Sequence, residues 1–231
     1  MTVAEKLTAI AENEQKVFDA GKKAEYDFFW AAAQEDGSRI NYQLAFSGSL
    51  WNNETFKPKY DMRPNNAERM FHTTNIAGDL VEILENLGVV IDTSQCTIVN
   101  QLFSYASKIT RVGVIHTEKA PSLVMMFYAA ERLVTIDKLI LKDDGSQNLD
   151  NAFQYAKELK NITIEGKIGH SGLSLGAAPK LTHESLMSIV NALYDFSATG
   201  GTHTATFGAT NLAKLTDAEK AIATERGWTL A

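Results

Sequence analysis

A short phrase of apolar residues recurs through the middle of the chain, anchored on phenylalanine. The anchors are 25, 32, 24 and 26 residues apart, at Phe46, Phe71, Phe103, Phe127 and Phe153. In the last three copies, alanine follows the phenylalanine by three residues and an aliphatic residue follows it by six. A period in the twenties is typical of a solenoid, in which each unit buries its apolar side by stacking on the next.

The spacing within one copy predicts a bend that runs into a short strand. Ile109-x-x-Val112-x-Val114 and Leu159-x-x-Ile162-x-Ile164 place alternate strand residues inward. The phenylalanines are expected to fill the middle of the coil, each on a short turn of helix that also carries a Tyr-Ala pair. In the copy at Phe127 the strand reads Ile136-Asp-Lys-Leu139-Ile-Leu141, one residue longer, which predicts either a bulge or a register shift.

The phrase resembles the leucine-rich repeats of the bacterial-surface (BspA-like) type over roughly residues 65 to 175. The two ends of the chain, Met1–Asp27 and Leu215–Leu230, resemble uncharacterised repeat proteins that prophages of gut Firmicutes encode near their tail genes. That family has no established activity to transfer. The resemblance implies an α/β leucine-rich-repeat solenoid with short parallel strands, an N-terminal helix and an α/β C-terminal cap. It also implies a phage virion or surface component, such as an adhesin for host recognition.

The pattern predicts four segments: an amphipathic helix over residues 1–34, an irregular cap over 35–66, the repeats over 67–176 and the α/β cap over 177–231. The helix carries a heptad seam that either packs on the body or serves as a docking or oligomerisation surface. Deleting residues 1–25 is expected to leave the repeats folded and to abolish oligomer formation or particle incorporation. The apolar seam residues are Val3, Leu7, Ile10, Val17, Ala24 and Phe28.

Several elements outside the repeats have clear local signals. An amphipathic helix is predicted over Asp79–Gly88, followed by a buried strand at Val89–Ile91. A strand at Gly172–Leu175, a helix at Thr182–Leu193, a strand at Thr202–Phe207, a helix from Leu215 to Gly227 and a closing strand at Trp228–Leu230 complete the C-terminal part. Trp51, Phe56 and Tyr60 are predicted to form the core of the N-terminal cap or, alternatively, a sugar-binding platform.

Composition and charge narrow the function classes. A net charge of −6 and a pI of about 5.4 disfavour a nucleic-acid binder, which needs a basic surface. The single cysteine, Cys96, excludes an internal disulfide and is expected to be a core thiol. No signal peptide and no apolar run long enough to insert in a membrane are evident. We therefore expect synthesis in the bacterial cytoplasm, with export as part of a phage particle.

The candidate catalytic and metal-binding motifs do not have the residue spacing that such sites require. Gly169-His170-Ser171-Gly172 resembles a nucleophile elbow, but the position that requires glycine holds Leu173. Asp143-Asp144-Gly145 lacks the remaining ligands of a calcium loop. The five histidines show no metal-ligand spacing. No enzyme, metal or cofactor is predicted, and a hydrolase that uses His170 and Ser171 is the catalytic alternative.

What remains is a binding or structural protein that presents the outward residues of its strands. Its partner is expected to be a protein, a surface glycan or another virion subunit, and a structural spacer within a particle is the alternative. The predicted contact residues are Arg111, Gly113, Thr135, Asp137, Asn161, Thr163, Glu165 and Ser174.

Overall fold

A computed structural model of the protein describes residues 40–58, 61–170 and 172–231. Arg39–Ala231 form one compact unit. The predicted N-terminal helix, its heptad seam from Val3 to Phe28, Tyr60 and Ser171 lie outside the described residues.

Short strands and four helices make up the regular structure of the described residues. The strands are β1 (Ile40–Asn41), β2 (Pro64–Asn66), β3 (Gly78–Asp79), β4 (Ile109–His116), β5 (Thr135–Ile140), β6 (Asn161–Glu165), β7 (His203–Ala205) and β8 (Trp228–Leu230). The helices are α1 (Leu80–Leu87), α2 (His183–Ala192), α3 (Ala209–Leu212) and α4 (Asp217–Glu225).

All pairs between these strands are parallel. Strands β3, β4, β5 and β6 form a four-stranded sheet in chain order, and β1 with β2 and β7 with β8 form two-stranded sheets. The longest pairing joins β4 to β5, with Val112 opposite Ile136 and Ile115 opposite Leu139. Further parallel contacts in the described chain are isolated bridges, such as Met62 with Ile91 and Ser174 with Thr206.

The prediction of a leucine-rich-repeat solenoid is wrong. The largest sheet of the described residues has four parallel strands, so no long continuous stack of strands runs from residue 89 to residue 207. At one side, β3 has two residues and continues directly into α1. At the other side, helix α2 lies where a further strand would pair with β6. Ser185 Oγ accepts the Ile162 N–H at 3.0 Å and Ser188 Oγ accepts the Ile164 N–H at 2.8 Å, so the free edge is covered by side chains of a helix.

The phenylalanine segments form turns and not the predicted short helices. In each copy, the residues two before and two after the phenylalanine have left-handed backbone conformation, as at Gln101 (φ 56°) and Tyr105 (φ 57°) around Phe103. A right-handed helical turn excludes that conformation. The turns are joined by backbone hydrogen bonds between copies, such as Phe103 N–H to Met126 C=O at 2.8 Å and Tyr105 N–H to Tyr128 C=O at 2.7 Å. Because each turn donates to the next, the turns form a hydrogen-bonded column of their own.

The rings inside this column form a continuous stack. Phe71, Phe103, Phe127 and Phe153 have neighbouring ring centroids 5.2, 5.6 and 5.7 Å apart, with interplanar angles of 5°, 4° and 10°. Phe46 extends the stack at 5.4 Å from Phe71. All five rings are buried, as the sequence pattern predicts.

The strands differ from one another in register. In β5, Ile136 and Leu139 are the buried positions, and they lie opposite Ile162 and Ile164 of β6, so the strand carries a bulge there. The sequence left a bulge or a register shift open at this site, and the bulge accounts for the extra residue. Strand β4 shares the longer spacing, because Ile115 is buried in place of Val114, which is exposed. The prediction that Val114 points inward is therefore wrong.

Local capping signals predict the helices well. Asp79 caps α1 by accepting the N–H groups of Val81 and Glu82, and Gly88 ends it with φ 68°. A capping box between Thr216 and Glu219 begins α4.

The predicted strands at Val89–Ile91 and Gly172–Leu175 are wrong, since each forms a single bridge. Cys96 is a buried thiol, as expected.

Candidate binding surfaces

Seven of the eight predicted contact residues lie on the four-stranded sheet, and Ser174 lies apart from it. Ser174 forms a lone parallel bridge with Thr206. The other seven occupy β4, β5 and β6, and they fall into environments that differ in charge, exposure and bonding.

Arg111 and Asp137 bind each other. Arg111 donates from Nε to Asp137 Oδ1 and from Nη2 to Asp137 Oδ2, both at 2.8 Å, and from Nη1 to Asp79 Oδ2 at 3.2 Å. The hydrogen bonds to Asp137 are the main reason that the pKa of Arg111 is raised above its ordinary value. Asp79 also caps α1, so this ion-pair cluster links the start of the helix to strands β4 and β5. Two predicted contact residues thus have a structural role.

Glu165 is paired in the same way at the far end of the sheet. Lys138 Nζ donates to Glu165 Oε2 at 2.8 Å, across β5 and β6. The hydrogen bond and the positive charge of Lys138 lower the pKa of the Glu165 carboxyl. Both side chains remain well exposed, so a partner that approaches this end of the sheet meets a neutral pair.

Gly113 faces helix α1 instead of solvent. A Cβ at this position would lie 3.3 Å from Val81 Cγ2, so glycine permits the close approach of helix and strand. Beside it is an apolar cavity of about 220 Å³ between α1 and β4. Val90 and Val114, which line this cavity, are 55% and 49% exposed, so the cavity opens to solvent.

The remaining predicted residues meet in a concave area that we call the polar depression. It has a volume of about 370 Å³ and lies between the sheet and the first turns of α2. Asn161 Nδ2 donates to Thr135 Oγ1 at 3.3 Å within it. Thr163 and Glu184 form no side-chain hydrogen bond with any other described residue, so their polar atoms are free to bind a ligand. The polar side chains that line the depression are Thr135, Asp137, Asn161, Thr163, Thr182, Glu184, Ser185 and Ser188.

A second exposed feature was not predicted as a site. Tyr105, Tyr128 and Tyr155 form a line across three turns of the phenylalanine column, and we call it the tyrosine row. Their ring centroids are 5.3 and 5.4 Å apart, at interplanar angles of 60° and 89°. Partial burial, together with the neighbouring phenols, raises the pKa of Tyr128. The recurring Tyr-Ala pairs were visible in the sequence, but the helical interpretation of the turns gave no reason to expect the rings to be aligned in solvent.

Two aromatic residues of the N-terminal cap pack on Phe46. Phe56 is fully buried and packs edge-on against Phe46, with centroids 5.0 Å apart. Trp51 is partly buried and packs against Phe46 at 5.3 Å. Phe56 therefore belongs to the core of the cap, and the alternative of a sugar-binding surface is wrong for this residue.

The segment around His170 is held by local contacts. His170 Nδ1 accepts the Gly172 N–H at 3.1 Å and lies 3.6 Å from Asp150 Oδ1. A Cβ on Gly172 would lie 1.6 Å from Asp150 Oδ1, so a larger residue here would displace the Asp150 carboxylate. Ser171, the other half of the hydrolase alternative, lies outside the described residues.

In the part of the chain that the structure describes, no group of three or more His, Cys, Asp and Glu side chains is placed to hold a metal ion. None of the described helices combines the length and the apolar character needed to cross a membrane. Comparison with protein-family models, curated proteins and solved structures finds no match to this chain.

Proposed function

We propose that the protein is a non-catalytic recognition module that binds a polar partner in the polar depression. The observation that carries the proposal is the convergence of four predicted contact residues, Thr135, Asp137, Asn161 and Thr163, with Glu184 and Ser188 of helix α2. Concave areas with a small number of precisely placed polar groups are where proteins bind ligands with defined orientation, and Thr163 and Glu184 are such groups here.

The walls of the depression are held in place by hydrogen bonds, which favours the binding of a partner there. Its walls are fixed because Ser185 and Ser188 tie α2 to the edge of β6 by hydrogen bonds. The Arg111–Asp137 pair fixes the opposite side. A site held in this way loses little conformational entropy when it binds, which favours affinity. Thr163 and Glu184 then supply a hydroxyl and a carboxylate for hydrogen bonds to the partner.

A surface glycan or a surface protein of a host cell is the partner that this proposal favours, with a phage particle as the carrier. The carrier follows from the resemblance of the two chain ends to prophage-encoded proteins. A partner that presents hydroxyl or amide donors suits the free carboxylate of Glu184 and the hydroxyl of Thr163.

Binding of fluorescently labelled protein to a panel of gut Firmicutes cells tests this proposal. We expect saturable binding to some strains, and Thr163→Arg is expected to weaken it by about tenfold or more because it places a long cation in the depression. Thr229→Arg is the matched control, since Thr229 is also an exposed threonine on a short strand. The control should bind like the parent.

Other outcomes would overturn the proposal. Equal binding by the Thr163→Arg and Thr229→Arg variants would place the contact surface elsewhere. Co-purification with virions without any cell binding would favour a structural spacer. Turnover of a cell-wall or ester substrate that is lost in His170→Ala would favour the hydrolase alternative.

A further inference from the structure

We propose that the tyrosine row is a second binding site and that it takes a neutral, extended polysaccharide chain. This site is separate from the polar depression and rests on different residues. It consists of Tyr105, Tyr128 and Tyr155.

The exposure and chemistry of the rings fit a sugar chain. Tyr105 and Tyr155 are 48% and 42% exposed, and Tyr128 between them is partly buried. A tyrosine presents an apolar ring body and a polar hydroxyl tip. A pyranose ring has the complementary character, with apolar C–H groups on its faces and hydroxyls around its rim. Each ring can therefore pack on one sugar while its hydroxyl bonds to the sugar rim.

Two of the three tyrosines occupy the left-handed position two residues after the repeat phenylalanine. Tyr105 and Tyr155 have φ of 57° and 63° there, and the other copies hold Gly48, Thr73 and Ala129 at the same position. The turn imposes the conformation, because glycine, threonine and alanine adopt it as well. Glycine adopts positive φ without a steric penalty, so it can replace either tyrosine without straining the turn.

The spacing of the row favours a polysaccharide over other linear polymers. The ring centroids repeat every 5.3 to 5.4 Å, and backbone hydrogen bonds between the turns fix this repeat. An extended peptide repeats its side-chain direction every two residues, about 6.6 Å, so it would lose register along three rings. One sugar unit of an extended, β-linked chain is close to the row spacing. The rings meet at 60° and 89°, and this corrugated surface suits a chain whose successive sugars turn over.

Charge around the row favours a neutral chain. Lys157 and Glu131 form an ion pair at 2.8 Å that joins the same two copies as Tyr128 and Tyr155, so their charges offset each other. Lys108 and Arg132 are exposed cations close to Tyr105 and Tyr128 in the sequence, so the binding of an acidic polysaccharide here would depend on them and would weaken in high salt. The net charge of −6 on the whole chain opposes the approach of a polyanion. Salt dependence therefore separates the two ligand types.

Affinity gel electrophoresis of the whole protein tests the site, with hydroxyethyl cellulose as the neutral β-linked chain and polygalacturonate as the acidic one. We expect hydroxyethyl cellulose to retard the parent protein equally in low and high salt. Tyr128→Ala is expected to weaken this binding by about tenfold, as for a central aromatic contact. Tyr105→Gly and Tyr155→Gly are expected to weaken it to a similar extent without lowering the melting temperature, because glycine relieves the left-handed backbone.

Leu44→Gly is the matched control for the glycine variants. Leu44 has φ 59° and is 47% exposed, so it shares the backbone conformation and exposure but lies outside the row. It should keep full retardation. The proposal is overturned if no retardation occurs, if the tyrosine variants bind like the parent, or if only polygalacturonate binds and does so only in low salt. Loss of binding in Thr163→Arg with normal binding in the tyrosine variants would assign the chain to the polar depression instead.

Discussion

Phe127 shows at the level of one residue how the stacked turns are stabilised. Its ring is fully buried between Phe103 and Phe153, with centroids 5.6 and 5.7 Å away on either side. Phe127→Ala is expected to lower the free energy of unfolding by about 3–5 kcal/mol, because it opens a cavity and removes two ring contacts. Urea or thermal unfolding measures this directly. Val114→Ala is the control on an exposed aliphatic residue and should change stability by no more than about 0.5 kcal/mol.

A result within about 0.5 kcal/mol of the parent for Phe127→Ala would show that the ring is not a core contact. The expected loss is a large share of the stability of a single domain, so low yield of folded protein is a second readout. Phe127→Leu keeps most of the side-chain volume and provides a folded sample where the alanine variant gives none. The free energy of unfolding should fall less in Phe127→Leu than in Phe127→Ala.

Single residues also show where sequence information ends. The burial of the five phenylalanines follows from their spacing, since recurrence of a large apolar residue at a fixed interval needs a common core. The left-handed conformation two residues before each phenylalanine has a signal in one copy alone, at Asn151, because Leu44, Arg69, Gln101 and Met125 occupy it in the others. Only glycine and asparagine announce positive φ in a sequence. Hydrogen bonds between neighbouring turns impose the conformation instead, and such bonds are not local.

Elements were predictable where their ends carry local chemistry. Asp79 and Gly88 mark both ends of α1, and Thr216 with Glu219 marks the start of α4. Strands depend on a partner, and Val89–Ile91 has the composition of a strand but pairs only through the Met62–Ile91 bridge. The solenoid prediction failed for the same reason. The pattern of one unit does not specify how many strands pair before a helix covers the edge.

Helix α2 covers that edge with a serine hydroxyl, and this contact can be tested. Ser185 Oγ accepts the Ile162 N–H at 3.0 Å and donates to Lys160 C=O at 3.0 Å, in a site that is 4% exposed. Ser185→Ala leaves the Ile162 N–H without a partner, whereas Lys160 C=O keeps the hydrogen bond from the Thr182 N–H at 2.9 Å. The substitution is expected to cost about 1–3 kcal/mol. Faster hydrogen exchange at the Ile162 amide is the local measurement.

Ser188→Ala is the comparison for the same edge. Ser188 accepts the Ile164 N–H but is only partly buried, so water can replace the lost hydroxyl. Ser188→Ala should therefore lower the free energy of unfolding less than Ser185→Ala does. Equal and negligible effects of the two substitutions would mean that the helix covers the strand by packing alone.

At the scale of the whole molecule, ion pairs connect neighbouring copies along the surface. Lys157–Glu131, Lys138–Glu165 and Lys180–Glu158 each join residues 22 to 27 positions apart in the sequence. These pairs could not be predicted from the sequence, because the pairing depends on which copies are adjacent. Each pair is exposed and screened by water, so its individual contribution to stability is small. Together they make the stability of the protein depend on pH.

The direction of that dependence follows from the pKa shifts. Lys180 lowers the pKa of Glu158 and Lys138 lowers the pKa of Glu165 below the ordinary value of 4.5. Hydrogen bonds from the Thr216 backbone and hydroxyl lower the pKa of Glu219 as well. A carboxyl with a lowered pKa stabilises the fold above its ordinary pKa and loses this contribution as the pH falls through the folded value. Burial, and secondarily Arg69, lowers the pKa of His72 below 6.5, so its effect has the same sign and begins at higher pH.

We therefore expect the melting temperature to be constant from pH 8 to about pH 7, to decrease slightly below about pH 6.5 and to decrease steeply below about pH 4.5. Calorimetry over this range measures both steps. His72→Gln should remove the first step, because the unfolded chain then no longer takes up a proton that the partly buried imidazole of the folded protein resists. Glu165→Gln should reduce the second step and leave the first unchanged. A melting temperature that rises on acidification would contradict this account, because it requires titrating groups whose pKa is raised by folding to outweigh the paired carboxylates.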